Sequence, residues 1–445
     1  MAKAWKSIRI DRPFPLPTYV KESLQRLYDS GHVAYIVGGS VRDFLLGRET
    51  KDHDIATSAN PDELCQIFPN AITVGKAFGV IKVPAGDRGE LLEIATFRKD
   101  LEYTDFRHPV KVMFTDAAGD ASRRDFTVNA LFYDPKTQQI LDSTGGLEDI
   151  KSRVIRAIGD ADERFREDAL RLLRAIRFKT TLGFELFSST AHAVKTKARL
   201  ISKVSSERIR DELSLMWMGP RPDEALKTLS QLNLLSHCLP EIEAVHASSD
   251  VWKHLLKMLN YLARKNPKRS LTLSWAAVLY SVGKPMALIL NKDKNFNGHE
   301  IQAALLAKDI SQRLKMSRVE SDRIAAMVGD QLKFKEVFQM RESTLQRFIR
   351  KEYFEELLAL HEADAATSDG NLAFFEFCSS RLEVFKRASP FDSAKLVDGK
   401  DLIQLGFVPG PEFSEILTVV EDLALEKKLS SKEEALEFVI RNFVK

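Results

Sequence analysis

The chain is poor in cysteine. Only Cys65, Cys238 and Cys378 occur in 445 residues, too few and too scattered for a disulfide framework or a clustered zinc site. No apolar run approaches the length of a membrane span, and the opening MAKAWKSIRIDRPFP has no signal-peptide core. No internal repeat or low-complexity tract is present. These absences lead us to expect a cytoplasmic protein with no membrane association. Neither sign of charge dominates, with 66 basic against 63 acidic residues and a net charge of +3. What remains is ordinary globular composition, 44% hydrophobic and 29% charged, in a chain long enough for about two to four domains.

The charge is unevenly spread. Arg164 to Arg210 holds twelve Lys/Arg against four Asp/Glu, whereas the stretch from Leu396 to the end holds six against ten. A basic segment beside a catalytic domain suits a polyanionic substrate, and a solvated helical face is the plainer alternative. Short β-rich runs alternate with turns between residues 30 and 155: Ala34–Val37, Asp52–Ala56, Gly79–Val83, Leu91–Thr96, Phe126–Tyr133 and Gln139–Asp142. After about Asp160 the apolar residues recur at helical spacing almost to the end. The fold class expected is α+β: a head of mixed sheet and helices, then an all-α neck, body and tail. The divisions expected are 1–155, 156–235, 236–390 and 391–445.

The most informative stretch is IVGGSVRDFLLGRETKDHDIAT, Ile36 to Thr57. An apolar strand ends in Gly38-Gly39, Ser40 is placed to cap a short helix, and Gly47 ends it. A second strand then carries Asp52 and Asp54, and residues two apart on a strand share a face. Two hard oxygen ligands beside a Gly-rich turn suit Mg²⁺ and a nucleotide triphosphate. Gly38 and Gly39 permit close backbone approach to phosphate, and Arg42 supplies charge. Glu93, a lone acid in the apolar run Leu91–Thr96, is the candidate third carboxylate, with pairing to Arg98 or another Arg as the alternative. The chemistry implied is two-metal phosphoryl transfer to a 3′-hydroxyl, with no general base beyond the activated hydroxyl.

The ordered set Gly-Gly-x-Val-Arg-Asp, then Asp-x-Asp-x-x-Thr, resembles the signature of the class II nucleotidyltransferases of the polymerase-β superfamily, which includes tRNA CCA-adding enzymes and bacterial poly(A) polymerases. The run Arg123-Arg124-Asp125-Phe126-Thr127-Val128-Asn129-Ala130 matches the family's second motif at every fixed position. The resemblance implies that Arg124 contacts phosphate while Asp125 and Asn129 position the ribose and nearby strands. A third match, Glu167-Asp168 followed by Arg171, Arg174 and Arg177, falls on a helical pattern. Asp168 and Arg171 at i and i+3 would stand side by side, as a surface ion pair or as a base reader. Cytosine and adenine each present an amino donor beside a ring-nitrogen acceptor, whereas uracil and guanine present a carbonyl beside an N–H. A carboxylate flanked by the guanidinium of Arg171 or Arg174 complements the first pattern and mismatches the second. Tyr103 to Pro109 is similar to the loop with which full CCA-adding enzymes switch from C to A; a polar hairpin loop is the alternative.

Residues 250–334 resemble the HD phosphohydrolase helical domain, with Asp250, Trp252, His254, Gly283-Lys284-Pro285 and His299-Glu300 in place. The His-Asp dyad is replaced by Leu279-Tyr280-Ser281, and the downstream His falls at Asp330 or Gln331. We therefore expect His254 and His299 to be packed or hydrogen-bonded residues of a scaffold that kept the fold and lost the hydrolase. The whole resemblance implies a CCA tRNA nucleotidyltransferase that uses Mg²⁺, CTP and ATP on tRNA, with no obligate protein partner. A bacterial poly(A) polymerase is the nearest alternative, disfavoured by the acidic tail. A half-specific CC- or A-adding enzyme, an HD phosphohydrolase and a silent RNA-binding protein are the others.

Overall fold

The computed structural model describes residues 5–50, 52–86, 89–103, 109–284, 299–387, 396–426 and 428–443, with backbone alone for 100–103, 109–111 and 299–300. It separates into two compact units, Met1–Glu243 and Ala244–Lys445.

The first unit is built on a seven-stranded sheet. Its strands are β1 (Lys6–Arg9), β2 (Ala34–Val37), β3 (Asp54–Thr57), β4 (Val80–Ala85), β5 (Glu90–Thr96), β8 (Phe132–Asp134) and β9 (Gln139–Asp142), while β6 (Arg98–Tyr103) and β7 (Pro109–Phe114) pair as a separate antiparallel ribbon. The sheet order is β1-β9-β8-β2-β3-β5-β4, parallel only between β3 and β5. Register explains its solidity. Ile8, Ile140, Tyr133, Ile36, Ile55, Ile94 and Ile81 form one row across all seven strands. Ile36, Ile55, Ile94 and Ile81 are at most 1% exposed, each contributing about 1.5–3 kcal/mol by burial. Leu24 and Leu27 of the helix Thr18–Asp29, with Val41 and Phe44 of the helix Gly39–Leu45, join the same cluster. The residues before each isoleucine, Asp54 in β3 and Glu93 in β5, therefore project from the opposite face.

The expected strands Ala34–Val37 and Gln139–Asp142 are found with those bounds. The expected strand Phe126–Tyr133 is not continuous: Thr127–Asn129 forms a 3-10 turn and β8 begins at Phe132. Side-chain bonds hold that turn, from Thr127 Oγ1 to Asp149 Oδ2 (2.6 Å) and from Asn129 Nδ2 to Asp125 Oδ1 (3.1 Å). The first strand and the β6–β7 ribbon were not expected. Beyond residue 160 the described residues are helical as anticipated, apart from turns and the short strand β11 (Glu185–Leu186), which pairs in parallel with β10 (Val154–Ile155).

The second unit is helical among its described residues. The helix Leu271–Leu279 is largely apolar and buried from Leu273 onward, with Trp275 fully buried, and it packs with Arg318–Asp330 and Phe354–Thr367. A separate small core of Val397, Leu402, Ile416, Val420, Ala435 and Val439 holds the tail helices together. Gln346 and Arg347 tie that tail to the helix Glu342–Ile349, donating to the carbonyls of Leu425 and Thr418.

Candidate active site

Strand β2 ends at Val37, and the chain turns at Gly38 with φ 79° and ψ −137°, a backbone that side-chain-bearing residues rarely adopt. A Cβ there would lie 3.3 Å from Arg124 Nη1 and 3.8 Å from Asp54 Oδ2, so a turn, a guanidinium and a carboxylate meet at this point. Gly38, not Ser40, holds the cap position of the helix Gly39–Leu45; Ser40 Oγ donates back to the Val37 carbonyl at 3.3 Å. Gly47 follows the helix with φ 68°, as its expected terminator.

Asp52 lies ahead of β3, which begins at Asp54, so the two acids are not both on a regular strand. The alternation survives nonetheless: Asp52 and Asp54 are exposed and His53 between them is buried, with Nε2 3.2 Å from the Pro15 carbonyl. Glu93 is also exposed, so the expected cost of burying it does not arise. It matters electrostatically instead. Although Asp54 is open to solvent on one side, protein packed around its carboxyl desolvates it; this first, then the charge of Glu93 and lastly that of Asp52, pushes it up to about 6 against the pull of Arg124. Such a cluster of negative charge fits a divalent cation. Among the described residues no group of three His, Cys, Asp or Glu is placed to hold a metal. Mg²⁺ ordinarily takes one or two carboxylates and completes its shell with phosphate and water.

The arginines are held by buried acids. Asp120, fully buried on the helix Ala117–Ser122, pairs with Arg123 (2.7 Å) and Arg124 (3.0 Å) at i+3 and i+4. Desolvation works to raise the Asp120 carboxyl, but the charges of Arg124 and Arg123 win and hold it below its ordinary range. Arg42, expected on phosphate, lines the cleft with its guanidinium already engaged. It grips Asp43 through two bonds of 2.9 Å and donates to Asn129 Oδ1 at 2.5 Å. Asn129 passes that order to Asp125, whose other oxygen accepts from Arg174 Nε at 2.8 Å. Burial of Asp125 is overcome by Arg174, and the carboxyl is held down at about 2.

The third motif is arranged differently from expectation. Asp168 closes the helix Ala161–Glu167 in an extended conformation, and the next helix runs Arg171–Leu182. Asp168 and Arg171 therefore do not share a helix face. Asp168 caps Leu170 N through Oδ1 and accepts from Arg208 Nη2 (3.0 Å) through Oδ2. Arg171, buried, donates to Glu167 (2.6 Å) and to the carbonyls of Arg164 and Arg123. Arg177 is not in the cleft; its Nε donates to buried Glu212 at 2.6 Å, while its guanidinium lies over Phe178.

One cavity of about 420 Å³ gathers Gly38, Gly39, Arg42, Asp54, Arg124, Asp125, Asn129, Asp168, Arg171 and Arg174, together with Arg123 and Phe178. Asp52, Glu93 and Arg177 stand outside its lining. Sequence reasoning placed Arg123 in its motif without giving it a role, and missed Phe178, Asp120, Arg208 and Glu212. The i+3 and i+4 spacing from Asp120 to the two arginines was a readable signal; nothing local marked Arg208 or Glu212. Of the expected switching loop, Tyr103 and Pro109 pair across the β6–β7 ribbon, and 104–108 lie outside the described residues.

In the second unit, His254 Nε2 sits 3.0 Å from Ser368 Oγ, 3.3 Å from Thr367 Oγ1 and 3.3 Å from Asp364 Oδ1. The His299 side chain lies outside the described residues. Asp330 is taken by Lys333, Lys351 and Tyr353, and Gln331 by His361.

A carboxylate beside a glycine turn, facing a wall of ordered guanidiniums at one end of a mixed sheet, defines a nucleotidyltransferase head. Residues 34–156 match the family described as the Poly A polymerase head domain, and residues 183–245 match the probable RNA and SrmB-binding site of polymerase A. The chain is 33% identical over 418 residues to the CCA-adding enzyme of Lactobacillus helveticus, covering 93% of this chain and 94% of that one. It is 45% identical over 215 residues to the CCA-adding enzyme of Geobacillus thermodenitrificans, covering 48% and 52%. The crystal structure of the Bacillus stearothermophilus CCA-adding enzyme in complex with CTP superposes with a TM-score of 0.68 at 27% identity, covering 95% of this chain and 96% of that chain. This chain belongs to the family of CCA-adding enzymes.

Proposed function

We propose that this protein completes the 3′ end of tRNA, adding C, C and A in turn from CTP and ATP without a nucleic-acid template. The observation that carries the reading is the meeting of Gly38, Asp54 and Arg124 in the same cleft as Asp125, Asp168 and Arg174. Asp52 and Asp54 would hold Mg²⁺, which when bound neutralises triphosphate charge and activates the primer's terminal hydroxyl. Arg124 and the backbone at Gly38 and Gly39 hold the triphosphate, and buried Asp120 keeps Arg124 aimed. Arg42, Asn129 and Asp125 form a hydrogen-bonded strut that fixes Arg174. Asp168 accepts from the amino group of cytosine or adenine. Arg174 donates to the neighbouring ring nitrogen, because its Nη1 is the guanidinium nitrogen least engaged, 3.7 Å from Glu212.

We assign catalysis to 1–155, base selection and RNA contact to the basic neck 156–235, and scaffolding to 236–390 and 391–445. A cytoplasmic setting fits a chain in which no helix of the described residues is long and apolar enough to cross a membrane.

The test supplies labelled CTP or ATP with Mg²⁺ to tRNA transcripts lacking CCA or lacking only the final A. We expect CMP incorporation followed by AMP, halting when CCA is complete. Long AMP-only tails on arbitrary RNA, or no incorporation, would overturn the assignment.

A further inference from the structure

Three guanidiniums of the head converge on one aromatic ring. Arg177 lies 4.2 Å over the centroid of Phe178, and Arg42 and Arg174 each lie 5.2 Å from it. All three distances fall within the roughly 6 Å reach of a cation–π contact. The ring itself is well fixed. Phe178 is 6% exposed and stands edge-on to fully buried Phe126, with centroids 5.8 Å apart and planes at 77°. Phe178 and Arg174 are at i and i+4 on the helix Arg171–Leu182, where side chains meet, while Arg42 arrives from the helix Gly39–Leu45. Asp43, Asp125 and Glu212 hold the three cations by their N–H edges. The ring lines the nucleotide cleft, in company with Arg42 and Arg174.

Those acids do not hold the three groups equally. Arg42 grips both Asp43 oxygens, Nε to Oδ1 and Nη2 to Oδ2 at 2.9 Å each, and its Nη1 donates to Asn129. Arg177 gives its Nε to Glu212 Oε2 at 2.6 Å and does not line the cleft. Arg174 is held differently. Its Nε (2.8 Å) and Nη2 (2.6 Å) both address a single oxygen, Asp125 Oδ2. A fork on two oxygens is a clamp, whereas two contacts to one atom make a pivot. Glu212 stands 3.7 Å from Nη1, beyond hydrogen-bond reach. The strut from Arg42 through Asn129 to Asp125 therefore sets where Arg174 is held and leaves its tilt open. Among the described contacts of this guanidinium, the face of Phe178 remains to limit that tilt sterically.

We propose that Phe178 is a positioning residue that determines base specificity: its ring limits the swing of Arg174 about Asp125 Oδ2 and keeps Nη1 aimed at the ring nitrogen of the incoming base. This rests on the reading of Arg174 as the donor to that nitrogen. Phe178 acts through Arg174 and has no part at the reacting atoms. An arginine free to swing loses its bond to the acceptor of cytosine and adenine. It also loses its clash with the N–H of uracil and guanine, so the advantage of CTP and ATP shrinks. A ring needed only for packing would instead slow transfer of every nucleotide alike.

The experiment measures kcat/KM of the full-length chain for CTP and for UTP on tRNA transcripts lacking CCA. Phe178→Leu and Phe178→Met, which keep an apolar side chain without a ring, should each lower the CTP-to-UTP ratio about tenfold, mainly through a higher KM for CTP. Phe178→Tyr, which keeps the ring, should hold the ratio within about twofold of wild type. Thermal unfolding midpoints and tRNA affinity check that each variant is folded. Arg174→Ala should lower the ratio at least as far, and Phe178→Leu added to Arg174→Ala should lower it no further. Wild-type ratios in Phe178→Leu and Phe178→Met, with Arg174→Ala unselective, would overturn the proposal and leave the base-reading role of Arg174 standing. A wild-type ratio in Arg174→Ala would overturn both.

Discussion

Two cavities of this molecule handle positive charge in opposite ways. In the head every arginine of the cleft wall with a described partner is tied to an acid or amide: Arg123 and Arg124 to Asp120, Arg42 to Asp43 and Asn129, Arg174 to Asp125. In the second unit Lys284 and Lys335 line a cavity of about 730 Å³ with Asp364 close enough to attract Lys284, but no carboxylate locks either ammonium in a described ion pair. The difference shows what preorganisation asks of a site. A site that stabilises charge developing on transferred phosphate needs donors fixed before the substrate arrives, and planar guanidiniums locked by buried carboxylates provide that.

Breaking the head should be severe and graded. Asp54→Ala should lower the transfer rate about a thousandfold or more while tRNA affinity stays within twofold, checked by single-turnover labelling and filter binding. Arg124→Ala should cost about a hundredfold in kcat/KM for the nucleotide, with less effect on tRNA. Asp120→Asn should destabilise the fold by about 3 kcal/mol, because it leaves two guanidiniums facing an uncharged partner, and denaturant unfolding reads this directly. Asp125 allows a test by pH. Its carboxyl falls from an ordinary 3.8 to about 2, so the folded state favours the ionised form. The associated stability, roughly 2 kcal/mol, is complete above pH 4 and lost as pH falls toward 2; Asp125→Asn should flatten that part of the stability curve. The smallest effect belongs to the second unit, where His254→Gln should change CCA addition less than twofold.

Much of the head was legible because its chemistry is local. Gly38, Gly39 and Asp54 fall within one short strand-turn-helix-strand passage, and the Arg123–Ala130 segment carries its own turn, so their convergence follows from short-range geometry. The errors arose where tertiary partners decided the outcome. Asp168 and Arg171 read as neighbours at i and i+3, yet Arg208 and Glu167, one of them forty residues away, take those side chains and a helix break falls between them. Arg177 shared the motif's spacing but is drawn to Glu212 on the helix Ser206–Trp217. Glu93 was chosen for a burial it does not have; its influence runs through space to Asp54. In the second unit the loss of the dyad was plain from Leu279-Tyr280-Ser281, but the cavity beside Tyr280 needs five distant segments and left no pattern in the chain.

The central claim is that Asp52 and Asp54 grip the divalent ion that serves the triphosphate. Mn²⁺ titration of the full chain with CTP, followed by electron paramagnetic resonance, measures this without turnover. Wild type should bind the ion at least tenfold more tightly than Asp54→Ala and Asp52→Asn. Equal affinity in all three proteins would contradict the account.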